Sequence, residues 1–448
     1  MEAIRSFFNT GVTKDLLFRI QQLDKLEQAI KQHSNELLSA MKADLGKSPE
    51  EAYLTEISIV LNEIRYHKSH LKRWAKPKRL SSGLVLFPSK SRILYEPFGL
   101  VLIIAPWNYP FQLLLDPLVG AISAGNCAVL KPSQQSPSVS KVISNIIGHT
   151  FDPNYIRVVE GNREALSWLP DYPFDYIFFT GGLKAGRTIL EKAAKNLIPC
   201  TLEMGGKSPC IVSPDFDVQL AAKRIVFGKF INAGQTCVAP DYVLVEKNCK
   251  EALIEALKQS IHEFYGVNVK ASPHYGRIAS DRFFLRLIDT MTHSGGEIVE
   301  GGEAERDQRY LSPTIIDHPS TDSALMQDEI FGPLLPILTY ETIEEAIRFV
   351  NVRKKPLALY YFGNKKEAAF VLKNTTSGGA CVNDTILHVA NKKLPFGGVG
   401  ESGMGKYHGK TSFYLFSNER SVLISSKRID FPVKYPPYKQ FDKLKKFL

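Results

Sequence analysis

The sequence predicts an α/β protein with two parallel-sheet domains and a small β arm. Short apolar runs typical of buried strands alternate with helical segments from residue 99 to 213, and the alternation resumes after Cys237. Such alternation is typical of a parallel sheet covered by helices on both faces. A chain of 448 residues also exceeds what one hydrophobic core usually supports. We therefore expect two α/β domains in succession.

Helices precede the first domain. Residues 1–46 and 51–77 show helical periodicity, with Leu54, Ile57 and Leu61 recurring at three- and four-residue steps. Residues 79–95 instead contain extended apolar positions among serines and prolines. This segment predicts a hairpin that projects from the body as the β arm.

The strands and helices of both domains follow from the same patterns. Between residues 99 and 213, strands are predicted at 100–105, 128–130, 156–159, 176–179 and 209–212, and helices at 111–125, 136–149, 163–168 and 183–196. In the second domain, strands are predicted at 242–245, 314–316 and 335–339, and helices at 250–263, 280–292, 343–351 and 366–375.

Composition excludes several classes of protein. Apolar residues make up 44% of the chain and charged residues 23%, as in ordinary soluble proteins. The longest apolar stretch, 98–107, is shorter than the roughly 20 residues of a membrane span, so no span is expected. The N-terminus lacks the apolar region of a secretory signal, which predicts a cytoplasmic protein.

Charge and cysteine usage argue against nucleic acid and metal binding. The net charge is +10, but the basic residues are spread along the chain, with dense runs only at 67–79 and 434–446. We expect no nucleic-acid partner and interpret the tail, 429–448, as docked on the body. The six cysteines include no Cys-x-x-Cys pair, which predicts no disulfide framework and no metal site.

Two segments carry groups suited to covalent acyl chemistry. Glu203 ends a strand and is followed by two glycines, and Cys237 follows a small, polar segment. A thiol nucleophile and a carboxylate base are the groups that such chemistry needs, although either alone is more often structural. Asn108, in Pro-Trp-Asn-Tyr-Pro, either satisfies its own turn or donates to an oxyanion, where a donor is worth about 3–4 kcal/mol.

Two strand ends suggest phosphate binding. Thr180, Gly181, Gly182 and Gly186 form a glycine-rich turn into a helix, whose N-terminus favours an anion. A clean Gly-x-Gly-x-x-Gly fingerprint is absent, so an ordinary turn is the alternative. Lys131 ends another strand and, taken alone, would be a solvated lysine.

In this order the motifs resemble those of the aldehyde dehydrogenase superfamily. The matching segments are Pro-Trp-Asn-x-Pro at 106–110, Phe-Thr-Gly-x-x-x-x-Gly at 179–186, Phe-x-x-x-Gly-Gln-x-Cys at 230–237, Glu-Ile-Phe-Gly-Pro at 329–333 and Pro-Phe-Gly-Gly at 395–398. The segment Met-Gly-x-Tyr-His-Gly at 404–409 resembles the corresponding segment of class 3 enzymes, which act on fatty and aromatic aldehydes.

The resemblance implies two Rossmann-like domains, an oligomerisation arm, NAD or NADP as cofactor, an aldehyde substrate and a homodimer. It implies a nucleotide-binding domain at 1–78 and 98–205, a catalytic domain at 206–405, and arm segments at 79–97 and 406–428. It implies Cys237 as nucleophile, Glu203 as general base and Asn108 as oxyanion donor. The implied cofactor residues are Lys131, Gln134, Thr180, Gly181, Gly182, Gly186, Glu329 and Phe331, and the implied substrate residues are Tyr109 and Phe396.

Gln134 departs from the family, which has a ribose-binding glutamate there. A carboxylate would repel a 2′-phosphate, so the neutral amide predicts tolerance of NADP. Two other readings remain open. A reductase of acyl-CoA or acyl phosphate would share Cys237 without needing Glu203, and a non-catalytic structural relative would be expected to lose Cys237 or the nucleotide loops.

Overall fold

Two sheets with mainly parallel strands form the centre of the structure, a computed structural model that describes residues 1–83, 85–161, 168–438 and 441–446. In these residues the first sheet has six strands, in the order Gly403–Met404, Cys200–Glu203, Tyr176–Thr180, Leu100–Ile104, Cys127–Lys131 and Ile156–Val158. Neighbours are parallel except for the antiparallel edge strand Gly403–Met404.

The second sheet has seven described strands, in the order Glu297–Glu300, Thr314–Asp317, Leu334–Tyr340, Tyr242–Glu246, Pro209–Val212, Ala358–Phe362 and Gly379–Val382. Its edge strand Glu297–Glu300 is antiparallel, and the others pair in parallel. The predicted α/β class with two parallel sheets is confirmed.

Helices surround both sheets. Before and within the first sheet they span Glu2–Asn9, Leu16–Gln32, Ser34–Leu45, Pro49–Ala52, Ser58–Trp74, Gln112–Ala124, Pro137–Thr150 and Leu183–Lys195. A π-helical turn, Tyr53–Ile57, precedes Ser58–Trp74. The later helices span Val218–Phe230, Lys250–Tyr265, Asp281–Thr292, Ala324–Gln327, Ile343–Asn351, Lys365–Asn374, Lys410–Leu415 and Phe441–Lys445. Most of the predicted helix at 163–168 lies outside the described residues.

The β arm consists of three antiparallel strands. Lys78–Leu80 pairs with Lys90–Pro97, which in turn pairs along its whole length with Ser417–Ile424. The predicted hairpin therefore forms, and it pairs with the later segment of its own chain. A further short pair joins Ala304–Glu305 to Tyr310–Leu311.

Local sequence explains where key helices begin and end. Asp15 accepts hydrogen bonds from the first amides of Leu16–Gln32, and Ser48 caps Pro49–Ala52 in the same way. Helix Gln112–Ala124 ends at Gly125 in the left-handed conformation, φ +93°. These caps fix the helices that pack around the strand ends carrying the polar motifs.

The C-terminal tail does not bury its described aromatic side chains. Phe431, Tyr435, Tyr438 and Phe441 are each about half exposed, between 48% and 52%. The expectation of a closely docked tail is therefore not met in this part of the chain. Among the described residues, no helix has the length and apolar character needed to cross a bilayer.

Candidate active site

Cys237 lies where two cavities meet. One, the glycine-lined cavity, has a volume of about 260 Å³ and is lined in part by Thr180, Gly181 and Gly182. The other, the apolar tunnel, has a volume of about 220 Å³. Cys237 lines both cavities, together with Leu113, Phe396 and Tyr407. Cys237 therefore borders two separate spaces, which suits a reaction between two bound molecules.

A left-handed turn presents the cysteine. Asn232, Ala233 and Gly234 have φ angles of +53°, +51° and +74°, which is unusual for the two residues with side chains. A Cβ on Gly234 would lie 2.2 Å from the carbonyl oxygen of Gly332, so only glycine fits. The turn therefore requires close contact with the 329–333 segment.

The buried side chain of Gln235 holds this turn in place. Its Nε2 donates to the carbonyl oxygens of Asn232 and Arg277, at 2.9 and 3.0 Å. Its Oε1 accepts the amide of Ala279 at 2.9 Å. All of its hydrogen bonds go to backbone groups, so Gln235 fixes the position of the neighbouring cysteine rather than contacting a ligand.

The Cys237 thiol is protonated at rest. Burial raises its pKa to about 12, and the Glu329 and Glu203 carboxyl groups act in the same direction. Backbone N–H groups of Cys237 and Val238 oppose the shift. A thiolate is a far stronger nucleophile than a thiol, so a reaction at this sulfur would need a base that removes the proton.

Glu203 lies in the same cavity as this thiol. It ends strand Cys200–Glu203, is 2% exposed and lines the glycine-lined cavity with Cys237. Neither carboxyl oxygen has a hydrogen-bond partner among the described residues. Burial raises the pKa of Glu203 well above its ordinary value, although the Lys406 ammonium opposes the shift. A buried carboxyl group with a raised pKa is a candidate for proton exchange with a neighbouring group.

The C-terminal glycine loop makes room for Glu203. Gly403 pairs with Glu203 across the antiparallel edge of the first sheet. A Cβ on Gly397, which has a φ of +157°, would lie 2.8 Å from Glu203 Oε1. The loop therefore encloses the carboxyl group without a side chain displacing it.

Asn108 reaches the cysteine turn through its side-chain amide. It is 1% exposed and lines the glycine-lined cavity. Its Nδ2 donates to the carbonyl oxygen of Gln235 at 3.0 Å. An amide nitrogen carries two hydrogens, so a second donor remains for a ligand beside the sulfur. Asn108 and Cys237 line the same cavity.

Tyr109 and Phe396, for which the resemblance implies contact with the substrate, both line the apolar tunnel. The Tyr109 hydroxyl lies 2.6 Å from Thr236 Oγ1, which ties it to the cysteine segment. Phe396 stacks on His408, with ring centroids 5.2 Å apart. The tunnel runs from Cys237 to the exposed side chains of Leu54 and Leu387, which are 66% and 50% exposed.

The residues present fit a dinucleotide in the glycine-lined cavity. Thr180 Oγ1 is buried there without a hydrogen-bond partner among the described residues. Gly182 precedes helix Leu183–Lys195, whose first backbone N–H groups have no partner within the helix. No atom lies within 4 Å of where a Cβ of Gly182 would be, so the backbone is open to a ligand.

Gly186 has a packing role. A Cβ there would lie 2.5 Å from Met204 Sδ, so the glycine lets helix Leu183–Lys195 approach the end of strand Cys200–Glu203. In dinucleotide-binding turns, one glycine typically allows such close packing between the helix and the strand.

Lys131 and Gln134 lie farther along the same edge of the first sheet. Lys131 is 3% exposed, and its Nζ donates to the carbonyl oxygens of Pro132 and Gly161, at 2.8 and 3.0 Å. Burial lowers the pKa of this amine. Gln134 is exposed. Lys131 is therefore no solvated lysine, and neither residue lines the glycine-lined cavity as described.

Glu329 and Phe331 form the opposite wall of the glycine-lined cavity. A Cβ on Gly205 would lie 2.0 Å from Glu329 Oε1, so the missing side chain leaves room for the Glu329 carboxyl group. Burial raises the pKa of Glu329 to about 8, and Asp241 adds to the shift. The Phe331 ring packs edge-on against Trp107, with centroids 5.4 Å apart.

Sequence reasoning missed several residues that shape the site. Tyr407 and Leu113 line both cavities, and Lys207 anchors the 325–330 segment by donating to the carbonyl oxygens of Leu325 and Asp328. Lys207 Nζ also pairs with Asp241 at 2.6 Å. Tyr407 belongs to the motif at 404–409, which was the available signal for that residue.

Comparison with known proteins agrees with this geometry. The profile of the aldehyde dehydrogenase family matches residues 11–422. The chain belongs to the aldehyde dehydrogenase family. Like other members, it is an oxidoreductase that oxidises aldehydes to carboxylic acids with NAD or NADP.

Its relatives include class 3 members of the aldehyde dehydrogenase family. The chain is 51% identical over 445 residues to 4,4'-diaponeurosporen-aldehyde dehydrogenase of Staphylococcus aureus, covering 99% of this chain and 97% of that one. It is 44% identical to the dimeric NADP-preferring aldehyde dehydrogenase of dog, covering 98% and 97%. A substrate-bound structure of Staphylococcus aureus AldH has a TM-score of 0.98 and 50% identity, covering 100% and 98%.

Proposed function

We propose that Cys237, Glu203 and Asn108 carry out aldehyde oxidation through a thioester on Cys237. One observation carries the proposal: Cys237 lies at the meeting point of the glycine-lined cavity and the apolar tunnel. The first-sheet domain, 1–78 and 98–205, binds the nucleotide, and the second, 206–405, carries the nucleophile.

The first half of the reaction forms a bond between sulfur and carbon. Glu203 takes the proton of the Cys237 thiol, directly or through a water molecule, and the sulfur attacks the aldehyde carbon. The Asn108 amide and the Cys237 backbone N–H donate to the oxygen as it becomes negative. A bound nicotinamide dinucleotide supplies the hydride acceptor, and a thioester remains on Cys237.

The second half hydrolyses the thioester. Glu203 first releases the proton of the thiol to solvent. It then removes a proton from a water molecule, which attacks the thioester carbon, while Asn108 again stabilises the oxyanion. The carbon–sulfur bond breaks, the carboxylic acid leaves, and Glu203 returns its proton to the Cys237 sulfur.

The cofactor contacts are distributed over both domains. Thr180, Gly181 and Gly182 would hold the pyrophosphate of a dinucleotide, Glu329 and Phe331 the nicotinamide end, and Lys131 and Gln134 the adenosine ribose. Gly186 supports the pyrophosphate turn by packing.

The substrate class is an extended apolar aldehyde. The walls of the tunnel near Cys237 are mainly apolar, and the tunnel opens at exposed Leu54 and Leu387, so a long tail can extend beyond its mouth. The Staphylococcus aureus relative is named for a 4,4'-diaponeurosporen-aldehyde, a substrate of this kind.

The enzyme is a cytoplasmic homodimer. Strand Ser417–Ile424 is an edge of the arm sheet, with one side unpaired in the described part of the chain, and an exposed edge is a pairing site for a second copy. The dog relative is named as dimeric. The six cysteines are unpaired, which suits a reducing compartment.

Product analysis tests the hydrolytic mechanism against the acyl-CoA reductase alternative. The purified enzyme is incubated with decanal and NAD⁺, with and without coenzyme A, and products are separated by mass spectrometry. We expect free decanoic acid in both incubations, because buried Glu203 activates water. An acyl-CoA product without free acid would refute the proposal.

A further inference from the structure

A buried ion pair lies behind the oxyanion segment. Lys47 Nζ contacts Glu56 Oε1 at 2.6 Å, and both side chains are 0% exposed. Lys47 follows helix Ser34–Leu45, and Glu56 belongs to the π-helical turn Tyr53–Ile57. Neither residue belongs to a motif that suggested catalysis.

The pair holds both ends of the turn that contains Asn108. Lys47 Nζ donates to the carbonyl oxygen of Asn108 at 2.9 Å and lies 4.0 Å from the ring centroid of Tyr109. Glu56 Oε2 accepts the backbone amides of Phe111 and Gln112, at 2.8 and 3.3 Å. Both charged side chains therefore form hydrogen bonds with backbone groups of the turn, Lys47 with a carbonyl oxygen and Glu56 with two amides.

A second contact connects this turn to the cysteine loop. Asn232 Nδ2 also donates to the Asn108 carbonyl oxygen, at 2.9 Å, so this oxygen accepts two hydrogen bonds. Glu51 Oε1 accepts the backbone amide of Asn232 at 2.9 Å. The segment 47–56 thus holds the oxyanion donor and the cysteine loop in one arrangement.

Stability alone is a weak reason for such a pair. Replacing a buried ion pair by apolar residues of similar volume is often neutral or stabilising, because desolvation of the charges offsets their attraction. Precise placement of an oxyanion donor has a large effect on rate, since the donor must meet the oxygen in the transition state.

We propose that Lys47 and Glu56 are positioning residues. They hold the side-chain amide of Asn108 at a fixed position relative to the Cys237 sulfur. This inference rests on the proposed oxyanion role of Asn108. Because the pair acts through Asn108, its removal affects transition-state stabilisation and leaves aldehyde binding nearly unchanged.

A double-mutant cycle tests the proposal in the full-length enzyme. Lys47→Met and the neutral double variant Lys47→Met/Glu56→Gln are each made with Asn108 intact and with Asn108→Ala. The double variant leaves no unpaired buried carboxylate, so it remains informative if Lys47→Met alone fails to fold. Lys250→Met, which breaks the half-buried pair with Asp317 at 2.7 Å, is the control.

Three quantities are measured: kcat and KM for decanal with NAD⁺, hydrolysis of p-nitrophenyl acetate without dinucleotide, and the thermal unfolding midpoint. With Asn108 intact, we expect the double variant to lower kcat and ester hydrolysis by about tenfold or more, with KM changed less than about twofold. With Asn108→Ala, the same change lowers both rates less than about twofold. The unfolding midpoint shifts equally in both backgrounds, and Lys250→Met leaves the rates unchanged.

Equal rate losses in both backgrounds would overturn the inference, because the pair would then act independently of Asn108. Unchanged rates with Asn108 intact would overturn it as well. Full activity of Asn108→Ala by itself would instead remove the proposed oxyanion role, and the inference with it, so the two failures are distinguishable.

Discussion

The side-chain amide of Asn108 donates a hydrogen bond to the carbonyl oxygen of Gln235 at 3.0 Å. This bond joins the turn after strand Leu100–Ile104 to the residue two positions before Cys237, across 127 residues of sequence. If Asn108 is the oxyanion donor and Cys237 the nucleophile, as proposed, changes on either side of this bond are expected to affect the same chemical step. Five predictions follow from the geometry of this site.

Cys237→Ala is expected to abolish aldehyde oxidation and ester hydrolysis alike, because both need the sulfur nucleophile. The fold should persist, since the Cys237 loop is held by the side-chain hydrogen bonds of Gln235 to backbone groups. NADH absorbance, p-nitrophenol release and circular dichroism measure the three properties. Cys381→Ala is a matched control on the edge strand Gly379–Val382, and retention of more than a few per cent of activity by Cys237→Ala would exclude the proposed role.

Glu203→Gln is expected to stop turnover before the thioester forms, because no base remains to take the proton of the Cys237 thiol. Steady-state kcat should fall by about a hundredfold or more. Intact-mass spectrometry after mixing with decanal and NAD⁺ should detect no acylated enzyme. Glu401→Gln, on the surface of the neighbouring loop, should behave as wild type; normal turnover by Glu203→Gln would assign the base elsewhere.

The raised pKa of Glu329 predicts a pH-dependent stability difference. The pKa is about 8 in the folded protein against an ordinary value of 4.5, so the unfolded state loses this proton first as the pH rises. The wild type should therefore lose stability relative to Glu329→Gln between about pH 4.5 and pH 8, with no further change above that range. Thermal unfolding midpoints across this range measure the difference, and a constant difference would contradict a raised pKa.

Gln134 is expected to permit NADP⁺ as well as NAD⁺, because a neutral amide does not repel the 2′-phosphate. Gln134→Glu should lower kcat/KM for NADP⁺ by about tenfold and leave that for NAD⁺ nearly unchanged. Steady-state kinetics with both nucleotides provide the measurement, with exposed Gln219→Glu as control. A wild-type preference for NAD⁺ of about a hundredfold or more would contradict the hypothesis.

Ile59 lines the apolar tunnel, and a larger side chain there should narrow it. Ile59→Tyr is expected to lower kcat/KM for decanal by about tenfold relative to propanal, because only the longer chain passes residue 59. A panel of straight-chain aldehydes from three to twelve carbons measures the change. Val267→Tyr, at a position 86% exposed, is the control, and an equal loss for all chain lengths would mean that the tunnel does not carry the substrate.

The predicted strands agree closely with the observed ones because buried parallel strands are short apolar runs that local sequence reveals. Ala358–Phe362 and helix Val218–Phe230 were not predicted, although they complete the second domain. The sequence also did not predict the order of the strands. Gly403–Met404 joins the first sheet beside Cys200–Glu203, although about 200 residues separate the two strands in the chain.

The sequence by itself determined the class of fold, the family and the candidate groups Cys237, Glu203 and Asn108, because these depend on local patterns and on motifs with characteristic spacing. The tertiary structure alone decided how those groups are tuned and held. The pKa of about 12 for Cys237 arises from burial, and the Lys47–Glu56 pair acts on Asn108 across 61 residues. Burial and contacts between distant segments exist only after the chain has folded, so no local pattern records them.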